Sequence, residues 1–168
     1  MDVAVVLTSY KVTPGRPSAR DVVDATKDLP NIYVRAGLSW KTCSEKDVEE
    51  LRGMLVAGEI KGLKIYPGYE PFYPADQKFE PAYKLAEEFD VPVMIHTGDP
   101  YAPQGKVKYS HPLNVDEVAV DYPKVKFLIC HLGNPWFRDC MEVVYKNENV
   151  YTDISGLTLG DFSDRFEA

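Results

Sequence analysis

Val91-Pro92-Val93-Met94-Ile95-His96-Thr97-Gly98 and Val125-Lys126-Phe127-Leu128-Ile129-Cys130-His131-Leu132-Gly133 share one form: an apolar run, a histidine at its end, then a small turn with glycine. Runs apolar on both faces are expected of parallel strands whose one side is covered by helices and whose other side meets a packed interior. Four more β-branched or apolar runs bring the total to six: Val3 to Leu7, Ile32 to Ala36, Ile60 to Ile65 and Asn149 to Ile154. The spacing of roughly thirty residues is that of one strand–helix–strand unit with a right-handed crossover.

Helical patterns fill the gaps. Glu45 to Ala57 puts Val48, Leu51, Met54 and Leu55 on one stripe behind a Ser44–Asp47 capping box. A second helix follows Phe79, with Pro81 in its first turn and Ala82, Tyr83 and Ala86 on the buried face. Asn114 is expected to cap a third, with Glu117 reaching back to it and Leu113 stapled against Val118, up to Tyr122-Pro123. Asn134-Pro135 is expected to open a fourth, with Phe137, Cys140, Met141 and Val144 as its apolar stripe. A further helix is expected around Ala19 to Lys27.

These units predict an α/β fold of parallel (β/α) repeats belonging to a TIM-type barrel, in one partial domain over residues 1–168. A complete barrel takes about 250 residues and eight strands, so this one is expected to be two strands short. Thr8-Ser9-Tyr10-Lys11, after the first strand, lacks the glycine spacing of a dinucleotide or P-loop site, which disfavours an open nucleotide-binding sheet.

Composition narrows the partners. The 26 acidic against 19 basic side chains leave a net charge of −7, without long runs of either sign, and so argue against nucleic acid or an anionic membrane. Cys43, Cys130 and Cys140 form no CxxC spacing, so no disulfide framework or structural zinc site is indicated and a reducing cytosol fits best. Asp2 stands where a signal peptide needs a basic residue, and no run approaches the roughly 20 apolar residues of a membrane span. The expectation is a soluble cytoplasmic protein acting on a small molecule, with self-association covering its open sheet edges.

Parallel units open the C-terminal ends of all strands on one face, where such folds place their chemistry. Lys64, His96 and His131 arrive there in succession. A neutral imidazole binds a divalent metal or takes a proton near pH 7, whereas a strand-end histidine can also merely hydrogen-bond a loop carbonyl. Strand alternation predicts His131 pointing into the barrel and Cys130 toward the helices. Lys64 could serve the site or simply extend to solvent. His111 reads as a surface loop residue, Asp153 as site or structural acid, and Tyr69, Tyr73, Trp136 and Phe137 as packing. Arg16, Arg35 and Arg138 could each meet a carboxylate, and the sequence does not rank them.

Gly62-Leu63-Lys64, Pro92 to Gly98, Cys130-His131-Leu132-Gly133 and Val150-Tyr151-Thr152-Asp153-Ile154-Ser155-Gly156, in this order, resemble the fourth to seventh strands of the amidohydrolase superfamily. The likeness is to its amidohydrolase-related branch of decarboxylases and hydrolases. The resemblance implies one divalent metal, often zinc, with His96 as ligand and His131 as second ligand or water-activating base. It carries Lys64 over only as a candidate catalytic residue. The family's first-strand His-x-His pair and eighth-strand aspartate have no counterpart here, so the chain alone is expected to bind metal weakly and to turn over little. The reaction implied is metal-assisted hydrolysis or decarboxylation; a non-catalytic remnant acting as a binding module is the contrasting reading.

Overall fold

The computed structural model describes residues 2–157, so the ends of the domain expected over 1–168 lie outside the described residues. Six strands form one parallel sheet in the order of the chain: β1 (Ala4–Leu7), β2 (Ile32–Leu38), β3 (Leu63–Ile65), β4 (Val93–Ile95), β5 (Phe127–Ile129) and β6 (Val150–Thr152). Between them run α1 (Ala19–Thr26), α2 (Glu45–Val56), α3 (Glu80–Glu88), α4 (Asn114–Asp121) and α5 (Phe137–Lys146). The result is the expected curled half-barrel, with each strand paired to its sequence neighbour.

Register sorts the side chains. Gly37, Lys64, Met94 and Leu128 stand level across β2 to β5 and share the inner face. Ile65, Ile95 and Ile129, one residue on, turn to the helices and are fully buried with Phe79, Tyr83, Val118 and Val143. Each such side chain contributes about 1.5–3 kcal/mol through burial, so this layer holds the sheet against the helices.

Ser18 with Asp21 and Ser44 with Asp47 both form capping boxes, which fix the starts of α1 and α2. Two expected caps are corrected. Asn114 is the first residue of α4, not its cap; its amide donates to the carbonyls of Lys108 and Tyr109 and so secures the preceding loop, and Leu113 is half exposed. Asn134-Pro135 does not open α5, which begins at Phe137, because Asn134 has a loop to join: its carbonyl accepts from the Asp99 N–H. The stripe of α5 is corrected with it, since Cys140 and Val143 are buried whereas Met141 is exposed. Among the described residues no helix is long and apolar enough to cross a membrane.

Candidate functional site

The C-terminal ends of β3, β4 and β5 bring Lys64, His96 and His131 to one place. Alternation carries the inner face from Met94 to His96 and from Leu128 to Cys130. Cys130 therefore faces the barrel interior, where its Sγ lies 2.7 Å from Lys64 Nζ, and the expectation that it points to the helices is overturned. His131 reaches the site by another route. His131 and Leu132 adopt left-handed backbone (φ 61° and 50°), a conformation costing about 1–2 kcal/mol per residue, and the turn swings the ring back beside His96.

Asp153 holds that turn. Its Oδ1 accepts from the His131 backbone N–H at 2.8 Å and from the Ser155 N–H and hydroxyl, while its carbonyl accepts from the Leu132 N–H. Burial alone would raise the Asp153 carboxyl, but these donors hold it below the usual range. The position left open between site and structure is a positioning acid.

The two imidazoles stand edge to face, with centroids 5.3 Å apart. His131 Nδ1 lies 2.6 Å from the Ser155 carbonyl, so the Nδ1–H tautomer donates there and leaves Nε2 as acceptor. His96 Nε2 is buried without a hydrogen-bond partner. Burial first, then the positive charges of Lys64 and His131, push His96 well below its ordinary value of 6.5. Burial lowers His131 too, against its bond to Ser155. Both rings are neutral at pH 7, the form that ligates a metal or accepts a proton.

A buried, orphaned imidazole nitrogen beside a second neutral ring fits a divalent cation by donor chemistry. Among the described residues, however, no group of three or more His, Cys, Asp or Glu could hold an ion, so the imidazoles make only half of a four-donor set.

Tight backbone approach stabilises the face. Gly98 (φ +83°) leaves no room for a side chain, since a Cβ would sit 2.3 Å from the Asn134 carbonyl. Ser110 donates its hydroxyl to the Gly98 carbonyl and Thr97 donates to that of Cys130, both buried.

Two cavities meet at the imidazoles. One of about 170 Å³ includes Asp99, Tyr101 and Asn134; one of about 490 Å³ extends toward β1 past Lys64, Tyr66, Tyr10 and Arg16. Tyr69 lines both, its ring 4.7 Å from His96, and so belongs to the site, contrary to its expected role in packing. Tyr10 and Tyr66 complete an aromatic wall with it. The Gly-Tyr pair after β3 signals only a loop, and nothing local in the sequence aims Tyr69 at His96. His111 lies outside both cavities, against Trp136 and 3.5 Å from Asp139, in keeping with its reading as a loop residue.

A family model described as Amidohydrolase matches residues 43–167. Among solved structures, an uncharacterized TIM-barrel protein from Bordetella bronchiseptica superimposes with TM-score 0.73 at 22% identity, covering 99% of this chain and 59% of its own. A probable 2-pyrone-4,6-dicarboxylic acid hydrolase from Acinetobacter baumannii, with citric acid bound, gives 0.63 at 15% identity, covering 93% and 55%. A 5-carboxyvanillate decarboxylase from Novosphingobium aromaticivorans, complexed with manganese and 4-hydroxy-3-methoxy-5-nitrobenzoic acid, gives 0.58 at 16%, covering 76% and 42%. At these identities the likeness establishes the fold. A search of curated proteins finds no match. The chain thus spans little more than half the length of the first of these structural relatives.

Proposed function

The chain belongs to the amidohydrolase family, and from that premise we propose that it carries the fifth- and sixth-strand half of a metal-dependent hydrolase site acting on a small molecule. The observation that supports this most is the buried, unpartnered Nε2 of His96 beside the neutral ring of His131. His96 would hold a divalent ion, with zinc as the first candidate, and His131 would be a second ligand or the base. Such an ion, when bound, lowers the pKa of water toward neutrality and polarises the attacked centre.

The chain's own residues supply the rest. His131, held by Ser155 and Asp153, presents Nε2 as a proton acceptor. Lys64 keeps its ammonium at the cavity wall against Cys130, where it offers positive charge to a substrate oxygen; this is its proposed catalytic role. Tyr10, Tyr66 and Tyr69 wall one side of the cavity. Decarboxylation is the second reading, favoured by the same ammonium, which could hold a carboxylate or return a proton to carbon; product analysis separates the two. Half-open inner faces on β1 and β6 support self-association of this chain.

The test is a zinc titration of the dialysed chain beside His96→Ala, with the imidazole resonances followed by NMR. We expect one weak site per chain that shifts both histidines and vanishes in the variant. Wild-type protein whose histidines do not respond would sink the metal reading and leave a binding module.

A further inference from the structure

The larger cavity is charged against the grain of the molecule. The chain carries −7, yet no Asp or Glu among the described residues lines this cavity, and the charged side chains that do are Lys64 and Arg16. Arg35 adds a third cation on the same inner face. It stands level with Gly62, its stem 3.4 Å from where a Gly62 Cβ would be, and its Nη1 is buried without a partner. Asp99 lines only the smaller cavity, so the two sides of the imidazole pair differ in sign.

Arg16 is presented for contact. The turn Thr13-Pro14-Gly15-Arg16 closes through paired backbone bonds between Thr13 and Arg16, which holds the arginine at the rim after β1. Arg20 and Arg52 are paired with Glu59 and Glu88, whereas no described carboxylate lies within ion-pair distance of Arg16. Arg16 lines the same cavity as Tyr10, Tyr66 and Tyr69; burial raises the Tyr66 and Tyr69 phenols, and the Arg16 charge opposes it at both. Tyr10 packs 5.1 Å from Tyr66 and 6.1 Å from Tyr69. Tyr66 is held in place by donating its hydroxyl to the Thr8 carbonyl at 2.5 Å.

We propose that Arg16 is the specificity-determining residue of this site: it binds the carboxylate of a planar, conjugated substrate whose flat body lies on Tyr10, Tyr66 and Tyr69, with the reacting end toward His96. This rests on reading the cavity as the substrate site, but not on the metal. A guanidinium suits the task because its planar fork pairs both oxygens of a carboxylate, and aromatic faces take flat ligands at little conformational cost. The ranking of the three arginines follows. Arg138 is exposed on α5, and neither it nor Arg35 lines either cavity.

The test uses chelator-treated protein, so that loss of metal cannot mimic loss of recognition. Benzoate, benzamide and acetate are titrated by NMR into wild type, Arg16→Gln, Arg16→Lys and Arg138→Gln. Wild type should bind benzoate about tenfold more tightly than benzamide, the scale of one charge-assisted pair, and more tightly than acetate. Arg16→Gln should erase the preference for benzoate over benzamide, Arg16→Lys should restore part of it, and Arg138→Gln should leave it intact. Equal binding of benzoate and benzamide by wild type, an unchanged preference in Arg16→Gln, or the same loss in Arg138→Gln would each overturn the proposal.

Discussion

On the inner face of the sheet the centre and the flanks behave differently. Lys64 and Met94, on β3 and β4, are 2% and 6% exposed, whereas Leu7 on β1 and Tyr151 on β6 are 41% and 51% exposed. The strands are built alike, from apolar and β-branched residues in parallel register. What differs is the flanking: among the described residues the central strands have a neighbour on both sides, while β1 and β6 each have one. Burial on this face thus follows how a strand is flanked, and the polar groups of the site sit on the central strands.

That contrast can be broken or sharpened by mutation. Phe127→Ala, in the fully buried helix-side layer, should cost about 3–5 kcal/mol in urea unfolding, against about 1 kcal/mol or less for Leu7→Ala. Equal losses would show that the flank is closed in solution. Gly98→Ala should cost about 2 kcal/mol or more, because a left-handed residue gains a Cβ against the Asn134 carbonyl. An unchanged midpoint would mean that the β4 and β5 loops part easily.

Asp153→Ala removes the acceptor of three hydrogen bonds and should cost about 1–2 kcal/mol, with the His131 resonance shifted by NMR. The carboxyl is lowered from 3.8 on folding. Its contribution is therefore present above that value and is lost as pH falls through the lowered folded pKa, so the gap between wild type and variant should narrow as the medium is acidified below 3.8. Parallel curves down to acid would contradict the positioning role. The smallest stability effect is expected from Val5→Ser with Tyr151→Ser, each about 0.5 kcal/mol. Light scattering should then show a lower mass than wild type if these faces pair copies of the chain.

Much was legible in the sequence because it rests on local rules. Short apolar runs locate the six described strands and helical patterns the five described α-helices, and the Ser44–Asp47 box places the start of α2 within a residue. The repeated apolar run ending in histidine locates His96 and His131 on one rim, since parallel strands must open their ends on one side. Caps failed where other backbone groups engaged the residue: the Lys108 and Tyr109 carbonyls take the Asn114 side-chain amide, and the Asp99 N–H takes the Asn134 carbonyl. Alternation counted back from His131 misplaced Cys130, because His131 reaches the site through a left-handed turn that Asp153, some twenty residues later, stabilises and no local preference would choose.

The sequence by itself therefore determined the order of the elements, the half-barrel and the pair of rim histidines, all of which follow from short-range periodicity. Tertiary structure alone decided that Cys130 meets Lys64, that Asp153 steers His131, and that Tyr10, Tyr66, Tyr69 and Arg16 gather at one cavity. Those contacts join residues from different strands and loops, and their distances depend on how the sheet curls, which no spacing along the chain encodes.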